Sequence, residues 1–344
     1  MTERPVDLRS DTVTRPTPAM LAAMSAAPVG DDVWGDDPTV AELYRVVTRL
    51  TGKEAALLFP TGTQCNLAAV MAHCGRGDEV ILGRRAHVYA HEAGGASVLG
   101  GISFCPVENR PDGTLPIEAV RDAVRSDDIH HPRTGLICLE NTFNGVVLPS
   151  DAVAETAALA AELGLPIHLD GARAWNAAVA SGVAVEALCA PFDTVSLCFS
   201  KGLGTPAGSV LVGSGETIRR ALRLRKMLGG GMRQSGLFAA ACLHALDHHV
   251  ERLAEDHRRA AALAEGLRGL GMFGDVRQAT NMVFLAVPRD RCARLEAHLA
   301  DAGILAAIRP STRLVTHLDI DDAGIDRALR AFAGFDAAAT ARAA

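Results

Sequence analysis

Aromatic residues are scarce in this chain: 4% of 344 residues, with two Trp, two Tyr and ten Phe. Stacking platforms for single-stranded nucleic acid need more rings than that. Basic excess is lacking too. The 34 Lys and Arg face 40 Asp and Glu, a net charge of −6, which argues against the concentrated basic surface of a nucleic-acid binder. No apolar run approaches the ~20 residues of a membrane helix. The opening segment, Met1-Thr-Glu-Arg-Pro-Val-Asp-Leu-Arg-Ser-Asp11, is charged and lacks the apolar core of a secretory signal. The eight cysteines (65, 74, 105, 138, 189, 198, 242 and 292) contain no Cys-x-x-Cys and no paired spacing. They read as buried free thiols of a cytoplasmic protein, not as disulfides or a zinc site. Also missing are a Gly-Lys-Ser/Thr phosphate loop, an internal repeat and a low-complexity linker.

What is present is a globular composition, 49% hydrophobic and 22% charged, long enough for two domains with real cores. An N-terminal arm plus a large domain is expected over 1–245, and a smaller α/β domain over 246–344. From residue 55 onward, short apolar strands alternate with helical stretches. Ala55–Phe59, Glu79–Leu82, Thr134–Glu140, Ile167–Asp170 and Thr194–Phe199 read as strands. Thr63–His73 and Asp151–Leu163 read as helices, the second stopped by Gly164 with Pro166 beyond it. This alternation predicts an α/β protein, a mostly parallel sheet sandwiched by helices. One long helix is expected from Gly236 to about Leu270, with His248, His249, Arg252, Glu255 and Asp256 on solvent faces. Met282–Ala286, Arg291–Ala300 and Leu314–Thr316 suggest the smaller unit, and the first forty residues an arm outside the sheet.

In parallel sheets ligands sit beyond the carboxyl ends of strands, which directs attention to the residues there. Ser200-Lys-Gly-Leu-Gly-Thr-Pro206 follows one such strand. Its lysine is either a solvated surface residue or, partly desolvated in a glycine-rich turn, an amine able to form a Schiff base. The Gly-x-Gly there is no dinucleotide fingerprint, because Gly208 comes one residue late. Asp170 ends the neighbouring strand; it either caps the next helix or accepts from a protonated pyridine nitrogen such as that of pyridoxal phosphate. Phe59-Pro-Thr-Gly-Thr-Gln-Cys-Asn66 passes from strand through a small-residue turn into a helix. It is a plain capped start or a phosphate site with Gly62, Thr63 and Ser200 contributing. His87 and His91 stand four apart, a spacing that can bind metal. No third ligand stands nearby in a known metal spacing, so no metal site is expected, and a ring stacked on a cofactor, or plain packing, is the reading for His87.

Taken together, these segments resemble the low-specificity L-threonine aldolases, pyridoxal-phosphate enzymes of fold type I, the aspartate-aminotransferase-like fold. The resemblance rests on Asp7-Leu-Arg-Ser-Asp-Thr-Val-Thr-Arg-Pro16, Gly30-Asp-Asp-Val-Trp-Gly-Asp-Asp-Pro38 and Pro60-Thr-Gly-Thr-Gln64. Further matches are Asp127-Asp-Ile-His130, Glu140-Asn141, Asn144-Gly145, His168-Leu-Asp-Gly-Ala-Arg173 and Ser200–Pro206. Gly229-Gly-Gly-Met-Arg-Gln-Ser-Gly236 and Arg313-Leu-Val-Thr-His-Leu-Asp319 complete the set.

The resemblance implies cleavage of L-threonine, L-allo-threonine and related β-hydroxy-α-amino acids to glycine and an aldehyde, within threonine catabolism and glycine biosynthesis. By position it implies Lys201 as the Schiff-base lysine, Asp170 at the pyridine nitrogen and Arg173 at the cofactor's phenolic oxygen. Gly62, Thr63, Ser200 and Arg233 match phosphate-binding positions. Ser10 and Arg313 match those that grip the substrate carboxylate. His87 matches the histidine stacked on the ring, His130 the one near the β-hydroxyl; either is the expected base. Trp34 stands where the family usually has tyrosine at the pocket mouth, and Phe143 where many members have histidine or threonine. The resemblance further implies a homotetramer, a dimer of dimers with active sites at the dimer interface. Two other readings share parts of this pattern. Another fold type I enzyme, an aminotransferase or β-eliminating lyase, would share Lys201, Asp170 and the phosphate turn. A nucleotide-binding oxidoreductase fits the α/β alternation but lacks the glycines.

Overall fold

The structure, a computed structural model, describes residues 4–343, with side chains as far as Phe335. The chain divides into two compact units. The larger comprises Pro16–Ser200 and Thr205–Asp247; the smaller comprises the first fifteen residues, Lys201–Gly204 and His248 onward.

The larger unit is built on a seven-stranded sheet. In spatial order its strands are Ala55–Phe59, Ser209–Gly213, Thr194–Cys198, Ile167–Gly171, Arg133–Glu140, Asp78–Gly83 and Ser103–Val107. The last five run parallel to one another, and Ser209–Gly213 is antiparallel to both its neighbours. Its central strands are buried along their whole length, apolar but for His168, Asp170, Thr194, Ser196 and Ser209, as a sheet covered by helices on each side requires. The 194–198 strand, five residues long, stops one short of its expected end.

Several helices begin where a side chain supplies the missing acceptor. Thr61 caps Gly62–His73 by accepting from Gln64 N at 3.2 Å, and Ser214 caps Gly215–Met227 from Thr217 N at 3.2 Å. Asp37 caps Pro38–Thr51, with Pro38 at the first helical position, where no N–H is needed. Ser150–Leu163 ends on Gly164 at φ +65°, the left-handed conformation that the sequence assigns to glycine. The 62–73 helix is buried on nearly all sides. It packs with the 215–227 helix against the sheet through Leu57, Phe59, Cys65, Ala69, Leu211 and Ile218. The segment read as an arm also contains a helix, Pro18–Ala26.

In the smaller unit, Val6–Asp7 pairs in parallel with Ile304–Leu305. A three-stranded antiparallel sheet is formed by Gly274–Ala279, Met282–Ala286 and Ser311–Val315. Leu263, Leu267, Leu295, Leu314 and Phe332 are among its fully buried core residues. The single helix expected from Gly236 to Leu270 is instead two, Gly236–His248 and Leu253–Gly269. The break has a tertiary cause: His249 is buried, with Nδ1 2.7 Å from the Leu203 carbonyl. Asp256, expected in solvent, is fully buried and held by Arg252 Nη2 at 2.6 Å. Among the described residues, no helix is long and apolar enough to cross a membrane.

Candidate active site

At the carboxyl ends of the parallel strands, the larger unit gathers a buried polar cluster. Asp170 lies near the end of the 167–171 strand and is 2% exposed. Its Oδ1 accepts from Ala172 N at 3.0 Å, while Oδ2 is buried without a hydrogen-bond partner. A buried carboxylate oxygen left unmatched is costly. The arrangement suits an N–H that arrives with a ligand, above all a cationic one. His87, Glu92 and Asp170 bring ligating atoms within 4.8 Å of one another.

His87 opens a four-residue helix, His87–Ala90, whose first N–H donates to Glu140 Oε2 at 2.8 Å. Its Nδ1 meets Glu92 Oε1 at 2.9 Å, and its ring lies 5.6 Å from that of His91. Half-buried, His87 is the exposed member of a group whose acids are hidden. Burial pushes the Glu140 carboxyl up to about 7, assisted by the nearby Asp170. Burial likewise raises Glu92, against the hydrogen bonds from His87 and Asn66 that hold it down. Asn66, fully inside, donates from Nδ2 to Glu92 Oε1 at 2.9 Å.

Three neighbouring features complete this end of the sheet. The 62–73 helix starts at the turn after the 55–59 strand, and no helical carbonyl takes the first-turn N–H groups of Gly62 and Thr63. Ser200 follows the 194–198 strand, its Oγ 3.6 Å from Cys198 Sγ. Arg173 precedes the Ala174–Ser181 helix; its N–H donates to the Asn141 carbonyl at 3.3 Å, which ties it to the strand bearing Glu140. Asn141 N in turn donates to the Asp170 carbonyl at 2.9 Å.

Other expected site residues lie elsewhere in the larger unit. His130 sits on an exposed turn, side chain 80% exposed, with Nδ1 2.7 Å from Asp128 Oδ1. Arg233 pairs with Asp31 at 3.1 Å, and its carbonyl accepts from Asp32 N. Trp34 projects from the turn at 32–35 and is 82% exposed. Beneath that loop, Arg225 is buried, with Nη2 2.7 Å from Asp32 Oδ2 and Nη1 donating to the Leu58 carbonyl at 2.7 Å. Phe143 is 3% exposed, under the Arg85 guanidinium at 5.0 Å. Gly113 leaves it room, since a Cβ there would overlap the ring.

In the smaller unit, Lys201 is half-buried, and its carbonyl accepts from Gly204 N and Thr14 Oγ1, both at 2.8 Å. Ser10 accepts from Thr12 N at 3.2 Å and caps the Asp11–Val13 turn. Arg313 lies on the 311–315 strand opposite Phe284.

Sequence reasoning gave no role to Glu92, Asn66 or the Glu140 side chain. Asn66 had a signal: a lone amide in the buried run Cys65-Asn-Leu-Ala-Ala-Val70 must find a partner. Glu92, beside the more conspicuous His91, reads locally as a solvated acid.

The beta-eliminating lyase family model matches residues 7–289. The chain is 52% identical over 316 residues to the low specificity L-threonine aldolase of Escherichia coli (strain K12), covering 92% of this chain and 94% of that one. It is 45% identical over 348 residues to the probable low-specificity L-threonine aldolase 2 of Arabidopsis thaliana, covering 96% and 97%. Its fold is similar to that of the threonine aldolase of Leishmania major, with a TM-score of 0.81 at 22% identity, covering 95% of this chain and 98% of that one. With pyridoxal-phosphate fold type I and this breadth of identity, the chain belongs to the low-specificity L-threonine aldolases of the beta-eliminating lyase family.

Proposed function

We propose that this chain cleaves L-threonine, L-allo-threonine and related β-hydroxy-α-amino acids to glycine and an aldehyde, acetaldehyde from threonine. Pyridoxal phosphate is its cofactor, and the observation that carries the reading is the buried, unpartnered Asp170 Oδ2. When bound, the cofactor supplies the electron sink for the pair released as Cα–Cβ breaks.

The chain's own residues do the rest. Lys201 would provide the amine that holds the cofactor aldehyde. Asp170 would keep the pyridine nitrogen protonated, and Arg173 would bind the phenolic oxygen. The N–H groups of Gly62 and Thr63, the Ser200 hydroxyl and Arg233 would hold the phosphate. Ser10 and Arg313 hold the substrate carboxylate; a planar guanidinium suits that bidentate task. With the cofactor bound, this grip would favour loss of the Cα–Cβ bond over loss of a proton or CO₂. His87 would lie against the cofactor ring, where its imidazole would take the β-hydroxyl proton. His87, and not His130, belongs to the Asp170 cluster, which favours it as the base; His130 would lie near the substrate's β-hydroxyl. Trp34 shapes the pocket mouth and selects among aldehydes.

The enzyme works in the cytoplasm as a homotetramer with active sites at dimer interfaces. The eight cysteines, all free and seven of them buried, support a reducing compartment. Exposed Trp34, Val98, Ile129 and Met227 support burial against further copies.

The test is to incubate the purified enzyme with L-threonine, L-allo-threonine and phenylserine, then measure glycine and aldehyde. Equimolar glycine and aldehyde are expected, together with a visible cofactor absorbance that Lys201→Ala abolishes. An α-keto acid in their place would assign the chain to transamination or β-elimination.

A further inference from the structure

The cluster that holds His87 continues into the protein as an unbroken line of polar groups. Glu92 Oε1 receives both His87 Nδ1 and Asn66 Nδ2, each at 2.9 Å. Asn66 Oδ1 is approached by Ser196 Oγ at 2.6 Å and His168 Nε2 at 3.3 Å. Beyond, His168 Nδ1 lies 2.8 Å from Thr194 Oγ1, and His73 Nε2 lies 2.9 Å from the same hydroxyl. Asn66, Glu92, His168, Thr194 and Ser196 are all buried, so their polar atoms must satisfy one another.

Proton counting gives every link a direction. An amide that donates from Nδ2 to Glu92 has only an acceptor at Oδ1, so Ser196 and His168 Nε2 both donate to it. His168 is neutral, its burial holding the imidazole down to about 3. Its one proton being on Nε2, its Nδ1 must accept from the Thr194 hydroxyl. That hydroxyl has spent its only proton and therefore accepts from His73 Nε2–H. All the protons point one way, toward Glu92, which is the terminal acceptor. The last donor on that carboxylate is His87 through Nδ1.

We propose that Glu92 is a positioning residue that fixes the His87 tautomer: by accepting from Nδ1 it leaves Nε2 as the unprotonated nitrogen, oriented by the Asn66–His168–Thr194–His73 chain behind it. Which ring nitrogen is protonated follows from the hydrogen bond the other makes. A base needs the bare nitrogen on the substrate side, and the negative Glu92 stabilises the imidazolium once the proton has moved. The other groups facing Glu92 are Asp170 and the Cys65 and Cys138 thiols, which burial keeps protonated. Neither thiol offers Glu92 a charge partner. The inference rests on the reading of His87 as the group that takes the substrate proton.

Neutron diffraction from deuterium-exchanged holoenzyme crystals at pH 8 reads the tautomer without turnover. Deuterons are expected on Nδ1 of His87 and on Nε2 of His168 and His73, with Glu92 bare. A deuteron on Glu92, or on Nε2 of His87, overturns the proposal. In Glu92→Leu the His87 deuteron should move to Nε2; if it stays on Nδ1, Glu92 does not set it. Should that variant fail to fold, the wild-type map and Glu92→Gln still decide. The glutamine oxygen can accept from Nδ1 but carries no charge, so kcat should fall by at least about tenfold with KM held within about twofold. An unchanged kcat overturns the positioning role. If wild-type enzyme released no glycine from threonine, the aldolase reading would fall while the deuteron positions still judged the hydrogen-bond chain.

Discussion

Substituting Asp170 by Asn tests the centre of the site. The change is isosteric: Oδ1 keeps its hydrogen bond from Ala172 N, and only the buried, unpartnered Oδ2 becomes an NH₂ group. In the wild type that oxygen is placed to accept a charged N–H; in the variant two donors would face each other. Removing one partner from a buried charged pair costs about 3–5 kcal/mol. Here the loss falls on the bound cofactor and the transition state. At about 1.4 kcal/mol per tenfold, kcat/KM for threonine should drop by about a hundred- to several-thousandfold. The aldehyde is followed by its NADH-dependent reduction with alcohol dehydrogenase, and cofactor affinity by fluorescence titration of the stripped protein. That stripped protein should unfold at no lower denaturant concentration than wild type, because the substitution removes an unmatched buried carboxylate oxygen. If kcat/KM and cofactor affinity both stayed within threefold of wild type, the role given to Asp170 would be refuted.

Two further outcomes follow from buried charges. Arg225→Met strands the Asp32 carboxylate and the Leu58 carbonyl, and should cost about 3–5 kcal/mol in urea unfolding; a loss below about 1 kcal/mol would show that the pair contributes little. Glu140 has a folded value raised from 4.5 to about 7, so the folded state keeps a proton that the unfolded chain loses. Its favourable contribution is complete below about 4.5 and disappears as pH rises toward 7. Glu140→Gln retains an acceptor for His87 N and should gain stability relative to wild type by up to about 3 kcal/mol between pH 5 and pH 8. Equal differences at the two pH values would contradict this.

The strands of the larger unit were legible because each is a short apolar run bounded by turn chemistry, as in Ile167–Gly171 and Ala55–Phe59. Gly164 gave away the end of its helix by its αL conformation. What escaped local reading was decided by distant partners. Helical periodicity runs through residue 249, yet the Leu203 carbonyl draws that histidine inward and the helix breaks. Asp256 resembles any surface acid until Arg252 and the core close over it. Val6–Asp7 is too short to announce a strand, and it is one because Ile304–Leu305 lies alongside. In the site, Asp170 and the turn at 60–64 stood out because strand ends are where ligands bind. Glu92 and Asn66 did not, because their meaning lies in a hydrogen bond between residues 26 apart.

Asp37 serves two helices with one side chain. Its Oδ1 accepts from Thr39 N and Val40 N at the start of the 38–51 helix, and its Oδ2 accepts from Gly236 N at the start of the 236–248 helix. Only glycine fits at 236, where a Cβ would lie 2.5 Å from the Asp37 carboxylate. During synthesis, the first of these helices leaves the ribosome about 200 residues before the second. At roughly 5–20 residues per second the gap lasts some ten to forty seconds. Throughout that interval the carboxylate is half-used and the Pro38 helix lacks its later neighbour. This shared cap therefore cannot be completed until almost all of the larger unit has been made.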